Sequence, residues 1–299
     1  LNPPKRIGVV AHARRPQSIP TAERIVATLE AHAIDTWMSI RWDKANHTEL
    51  ETPTDLVIAI GGDGAMLRAA RTCAAYNIPV LGVNMGYLGF LPEVSSPDDW
   101  DQYVERLVQG DYWIERRMTL EATVLRADEV LANGTALNDV VINRNRALGT
   151  VLLQTYIDGH WATTYHADAL IIATATGSTA YALAAGGPIL PPELHNILLL
   201  PVAPHLSMDR PLVLSEGASV QIVLSPERGS DVIVVADGTP IADMQPGDTV
   251  IIRAGKNVGQ FVRMRDRNYF YRSLLDRLEP RQPTRATPKH LKIDLSAFE

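Results

Sequence analysis

A single cysteine, Cys73, in 299 residues excludes an intrachain disulfide and a cysteine-ligated zinc site, which fits a reducing, cytoplasmic setting. The eight histidines show no His-Glu-x-x-His or comparable ligand spacing, so no structural metal is expected. No apolar run approaches the ~20 residues of a membrane helix, and LNPPKRIGVV at the start holds too few apolar residues for a signal peptide. Neither a Walker A loop nor a G-x-G-x-x-G fingerprint occurs, which removes support for the usual P-loop and dinucleotide folds. Excess positive charge is also missing. A formal net charge of −6 argues against nucleic acid or an anionic membrane as the main partner, while leaving room for a local basic pocket.

What is present is a globular composition, 46% apolar and 21% charged, on a chain long enough for two ordinary domains. The first third alternates strand and helix patterns. RIGVVAH, DLVIAI and IPVLGVN read as buried strands, with helical spacing over residues 20–32 and 65–76 and in the serine-capped SSPDDWDQYVERLVQG. Such alternation implies βαβ units and a parallel sheet. From MTLEATVLR near Arg116 onward, short β-rich runs are punctuated by turn signals at NGT (133–135), DGHW (158–161), SEGAS (215–219), PERGS (226–230), ADGTP (236–240) and QPGDT (245–249). That spacing suits an antiparallel sandwich or barrel. The pattern returns to helix in FVRMRDRNYFYRSLLDRLEP, and a proline-containing tail with mixed charges follows, expected to be poorly ordered.

In DLVIAIGGDGAML one acid, Asp63, stands among Gly61, Gly62 and Gly64 where a strand ends and a helix begins. Glycines there let a ligand approach the backbone, and the helix N-terminus beyond offers unpaired N–H groups to a phosphate. A carboxylate repels phosphate, so Asp63 makes chemical sense if it acts on a neighbouring hydroxyl or holds a metal between phosphates. The same four residues also read as an ordinary turn with Asp63 as helix N-cap, and the motif alone leaves both readings open.

The wider series does more. Gly61 to Gly64, GVNMGYLGFLPE (82–93), LNDVVI (137–142), YHADALIIATATGSTAYALAAGGPI (165–189) and VVADGTP (234–240) resemble the NAD kinase family in order and spacing, from about Arg6 to Leu278. The resemblance implies a Rossmann-like α/β domain over residues 1–115 carrying the glycine–aspartate turn, and a β-sandwich-like NAD-binding domain over 116–262. A C-terminal helix over 263–280 would pack back on the α/β domain, ahead of a flexible tail at 281–299. It further implies transfer of the γ-phosphate of ATP, with polyphosphate as an alternative donor, to the 2′-hydroxyl of the adenosine ribose of NAD. Mg²⁺ or another divalent metal would accompany the donor, in a homodimer or homotetramer whose neighbouring subunit completes the site.

Residue by residue, Asp63 matches the acid that activates the 2′-hydroxyl, flanked by Gly62 and Gly64. Asn138 and Asp139 match the pair that binds the adenine amino group and the ribose hydroxyls, and Asp168 an acid near the nicotinamide carboxamide. Thr176, Thr179, Ala180 and Tyr181 match the segment lining the adenosine pocket, and Asp237 an aspartate–glycine pair near the site. The chain departs from the family pattern at Ala169 (usually Gly), Ala175 (usually Pro) and Asp139 (often Glu).

Two other readings compete. A diacylglycerol- or sphingosine-type lipid kinase shares the glycine–aspartate turn but not T-G-S-T-A-Y, and a non-catalytic NAD(P) sensor would keep the pocket without turnover. Ser178 lacks a G-x-S-x-G elbow and reads as a helix-capping serine, His166 and His205 as surface or packing residues, and RMRDRNYFYR as a solvated helix edge rather than a nucleic-acid patch.

Overall fold

The computed structural model describes residues 2–11, 15–40, 48–86, 89–145, 149–226 and 231–278. Strands β1 (Arg6–Val10), β3 (Leu56–Ile60) and β4 (Val80–Val83) are near-continuous apolar runs, as parallel strands covered on both faces require, and β2 (Asp35–Ser39) joins them. Their sheet runs β2-β1-β3-β4-β18-β5, with β5 (Trp113–Arg117) and β18 (Gly259–Arg263) completing it. Ile25 and Leu29 of α1 (Ser18–Ala31) and Trp100, Val104 and Leu107 of α3 (Trp100–Val108) cover one face. Met66, Ala69, Ala70 and Cys73 of α2 (Asp63–Ala74) pack with Val57, Val80 and Phe261 on the other. Burial pushes the Cys73 thiol pKa far up, which makes it an inert core residue.

The β-rich stretch forms two open six-stranded antiparallel sheets, so the sandwich is realised and the barrel is not. One runs β10 (His160–Ala167), β9 (Val151–Ile157), β14 (Val220–Leu224), β17 (Thr249–Ala254), β6 (Leu120–Arg126), β7 (Glu129–Ala136). The other runs β13 (Leu212–Ser215), β12 (Asn196–Val202), β11 (Ala169–Ala173), β8 (Asp139–Arg144), β15 (Val232–Ala236), β16 (Thr239–Met244). Alternate residues such as Val220, Ile222 and Leu224 share one core with Ile142, Leu170 and Ile172 of the facing sheet. The outer face of the second sheet is covered by Ala182 of the short helix α4 (Tyr181–Ala184) and by Leu190.

Strand β18 falls within the β-rich stretch in sequence yet pairs in the first sheet, parallel to β4 and antiparallel to β5. The turn expected at Asn133 does not form. Asn133 and Gly134 lie inside β7 opposite Thr123 and Ala122, and the Thr123 hydroxyl donates to the Asn133 amide oxygen. The chain reverses instead at Ala127 and Asp128, both at positive φ. Residues 227–230 of the expected turn at PERGS, Tyr87 and Leu88 of the loop motif, and the tail from Glu279 lie outside the described residues. A second unit begins at Arg265 and carries α5 (Tyr269–Leu278), where the Arg265 guanidinium lies over the Tyr269 ring. Among the described residues no helix is long and apolar enough to cross a membrane.

Candidate active site

Strand β3 ends at Ile60, Gly62 occupies the N-cap, and Asp63 is the first residue of α2. The capping alternative therefore fails: the Asp63 carboxylate leaves its own helix and accepts from the backbone N–H groups of Phe90 (3.0 Å) and Leu91 (2.9 Å). A carboxylate offers about four lone-pair positions, so two stay available. The loop must come this close through Gly89, because a Cβ there would lie 2.1 Å from the nearer Asp63 carboxylate oxygen.

Two cavities meet at this carboxylate. One, of about 350 Å³, is lined by the 61–64 turn, Asp63 included, with Arg15 and Arg68 at its rim. The other, of about 190 Å³, is lined by Asp63 and its two loop partners together with Arg117, Asn138, Thr176, Thr179 and Ala180. The first has the chemistry of a phosphate seat: glycine backbone, a helix N-terminus and two guanidinium groups. A hydroxyl presented by a ligand in the second would reach phosphate in the first beside Asp63.

The second cavity is shaped from behind by Asp237. It sits at φ 44° in the hairpin between β15 and β16, with its side chain buried. Its two carboxylate oxygens accept from the N–H groups of Leu137 (2.8 Å), Asn138 (2.8 Å) and Asp139 (3.2 Å), and Arg71 of α2 reaches it at 3.5 Å. The aspartate–glycine pair thus forms a hairpin near the site, and the Asp237 carboxylate holds the backbone that presents Asn138. From the other side Thr174 donates to the Leu137 carbonyl and accepts from the Gly177 N–H. The Asn138 carbonyl fills the space that a Cβ on Gly177 would need, 2.0 Å away. Ser178 is fully buried; its hydroxyl donates to the Ala175 carbonyl and accepts from the Leu190 N–H, a structural staple rather than a nucleophile.

Asp139 stands at the start of β8, almost wholly buried. Desolvation first, and the nearby Asp237 charge second, push its carboxyl pKa up to about 7. Because the folded value exceeds the unfolded one, the stabilisation is complete at low pH and is lost as pH rises through about 7. Moving an acid from about 4 to about 7, at ~1.4 kcal/mol per pH unit, makes the ionised form cost on the order of 4 kcal/mol. Thermal denaturation should therefore show Asp139→Asn gaining on the native chain as pH rises from 5 to 8. A melting difference that does not change over that range would contradict the assignment.

Thr176 is buried and accepts from the Arg117 guanidinium at 3.4 Å, and Thr179 donates to the Thr176 carbonyl. Tyr181 opens α4, 44% exposed and outside both cavity linings, and Asp168 is exposed at the opposite end of β11. At ~3.3 Å per residue, the six steps from Asp168 to Thr174 span roughly 20 Å. His166 and His205 lie at that distal end, their rings 5.7 Å apart, with His166 bonded to Thr150. The structure thus gathers Gly62, Asp63, Gly64, Asn138, Thr176, Thr179 and Ala180 around the cavities, sets Asp139 and Asp237 beside them, and leaves Asp168 and Tyr181 apart.

Sequence reasoning missed the arginines. Arg117 lines the smaller cavity, and Arg263, read as part of a solvated helix edge, is the last residue of β18 and fully buried. The available signal was Glu115 and Arg117 two apart on a strand, both charges on one face of a sheet. Among the described residues no group of three His, Cys, Asp or Glu side chains could hold a metal ion. Asp63 is the one carboxylate lining either cavity, which fits a Mg²⁺ carried mainly by phosphate oxygens.

Residues 30–112 match the ATP-NAD kinase N-terminal domain, and residues 137–264 match the ATP-NAD kinase C-terminal domain. The chain is 38% identical over 274 residues to a protein named NAD kinase from Chloroflexus aurantiacus, covering 92% of this chain and 98% of that one. It is 42% identical over 216 residues to a protein of the same name from Pseudomonas putida, covering 72% and 73%. The crystal structure of yeast NADH kinase complexed with NADH has the same fold, with a TM-score of 0.79 at 23% identity over 92% of this chain and 87% of that one. With both domains matched in order and the Chloroflexus relative aligned nearly end to end, this chain belongs to the NAD kinase family.

Proposed function

We propose that this chain transfers the γ-phosphate of ATP to the 2′-hydroxyl of the adenosine ribose of NAD, giving NADP and ADP. The observation that carries this reading is the placement of Asp63 in the walls of both cavities. The adenosine end of NAD occupies the smaller cavity, where Asn138 can both donate to and accept from an adenine edge. The Asp139 carboxylate accepts from ribose hydroxyls, and Thr176, Thr179 and Ala180 supply the wall. The triphosphate lies along the 61–64 turn with Arg15 and Arg68 beside it. The 2′-oxygen attacks the γ-phosphorus as the bond from that phosphorus to the β–γ bridging oxygen breaks. The hydroxyl proton passes to Asp63, and ADP leaves with the bridging oxygen. Asp63 would be the side chain to hold a Mg²⁺ carried in with ATP, and the ion would supply balance to the phosphate charge in such a transfer.

Tyr181 follows Ala180 at the start of α4 and stays with the adenosine side, while Asp168 lies away from these cavities, and we assign it to a nicotinamide-side contact completed by a second copy of the chain in a homodimer or homotetramer. The cytoplasm, where NAD and ATP are both abundant, is the setting that fits these substrates.

Incubating the protein with NAD, ATP and Mg²⁺ and reading product with an NADP-specific dehydrogenase tests the reaction. Steady formation of NADP is expected. Tight NAD binding with no product from either ATP or polyphosphate would favour the sensor reading, and phosphorylation of a lipid in vesicles instead of NAD would favour the lipid kinase.

A further inference from the structure

Four buried charged groups to which the proposed reaction assigns no step meet beside the first sheet, Glu115, Arg117 and Arg263 on one of its faces and Glu93 on the loop after β4. In the antiparallel pair of β5 with β18, Glu115 lies opposite Phe261 and Arg117 opposite Gly259. Residues directly opposite share a face, as do residues two apart, so Glu115, Arg117, Phe261 and Arg263 all project to one side. One Glu115 oxygen accepts from Arg117 at 3.0 Å and from Arg263 at 2.8 Å, and both guanidinium groups lie 5.2 Å from the Phe261 ring centroid. Glu93 meets Arg263 at 3.4 Å and accepts from the Met264 N–H at 2.8 Å. All four charged side chains are buried, two of each sign.

This network ends on the loop that clamps the catalytic acid. Arg263 donates to the Leu91 carbonyl at 2.7 Å, and the N–H of the same Leu91 donates to Asp63 at 2.9 Å. At its other end Arg117 reaches Thr176 in the smaller cavity. A hydrogen-bonded path therefore runs from Asp63 through Leu91, Arg263, Glu115 and Arg117 to the wall opposite. Buried ion networks of this kind are seldom more stabilising than apolar packing of the same volume. A guanidinium held on two sides does, however, fix a carbonyl in direction as well as distance.

We infer that Arg263 is a positioning residue for phosphoryl transfer, aiming the Asp63 carboxylate through the Leu91 backbone. The inference rests on the kinase reading and deepens it: Arg263 touches neither substrate, and its effect belongs in the chemical step. Moving a reacting group by ~1 Å can cost about 100-fold in rate, while the substrate contacts stay where they were.

The test compares native protein, Arg263→Lys, and the double variant Glu93→Gln/Arg263→Met, which removes one charge of each sign and leaves Glu115 paired with Arg117. Circular dichroism and melting establish that each is folded, and NADP formation gives kcat and KM for NAD and ATP. The double variant should lose about 10–100-fold in kcat with both KM values changed less than about threefold, the signature of an interaction felt in the transition state. A single ammonium nitrogen in place of the planar fork would hold Glu115 and the Leu91 carbonyl less rigidly, so Arg263→Lys should fall between, several-fold below native. If the double variant does not fold, Arg263→Lys decides alone. Native kcat in the folded variants, or a loss confined to KM, overturns the inference while leaving the kinase reading intact. No NADP from the native protein defeats the kinase reading, and the inference falls with it.

Discussion

Replacing Asp63 with asparagine should lower turnover by about 10²–10⁴-fold, the usual contribution of a positioned general base, or ~3–5 kcal/mol of transition-state free energy. The geometry makes the substitution more than the loss of a proton acceptor. Both Asp63 oxygens accept from peptide N–H groups, one from Phe90 and one from Leu91. An asparagine can offer its carbonyl oxygen to only one of them and must set an NH₂ group against the other donor. One N–H then lacks its partner, at a cost of about 1–3 kcal/mol if it stays shielded from water. The variant should therefore melt lower than native protein as well as turn over slowly, while NAD binding, measured by calorimetry, stays close to native because the proposed adenine contact at Asn138 is untouched and an asparagine can still hydrogen-bond a ribose hydroxyl. More than about a tenth of native turnover in a folded Asp63→Asn protein would remove Asp63 from the role of base.

Gly89→Ala should be nearly as damaging by a different route. No charge, donor or acceptor is removed, but the added methyl would lie 2.1 Å from one Asp63 carboxylate oxygen and 2.6 Å from its Cγ, and a neighbour must move. Displacement of the carboxylate or its loop by ~1 Å is expected to cost about 100-fold in kcat, with little change in KM for NAD. Steady-state kinetics at saturating ATP and NAD, with a structure of the variant to show what moved, would check this. Together the variants separate having the carboxylate from having it aimed. Native kcat in Gly89→Ala would mean that the clamped orientation is not the one used in the reaction.

The parts of the fold legible in the sequence were those set by neighbours along the chain. The apolar runs of β1, β3 and β4, the serine at Ser96 that accepts from the Asp98 N–H, and the glycine–acid turn at the start of α2 are local patterns, and they formed where expected. The Asp158–Gly159 and Asp237–Gly238 hairpins belong to the same class, since their residues tolerate positive φ. Asn133–Gly134 carries the same local signal and was misleading. In β7 the Asn133 side chain finds a partner across the strand, and pairing with β6 outweighs turn propensity.

By itself, then, the sequence determined the two kinds of architecture, the position of Asp63 at a strand end and the order of the motifs that relate the chain to its family. Only the tertiary structure decided what surrounds that acid. Arg263 and Glu115 are 148 residues apart in the chain, and nothing local in either segment shows that β18 crosses back to lie beside β5. The three peptide N–H groups that fill the Asp237 carboxylate come from a segment 98 to 100 residues away, and a whole strand separates Asp168 from the cavities at Asp63. The physical reason is the same in each case. Periodicity and turn chemistry act over a few residues, whereas the partner that satisfies a buried charge is chosen by strand pairing across the whole chain.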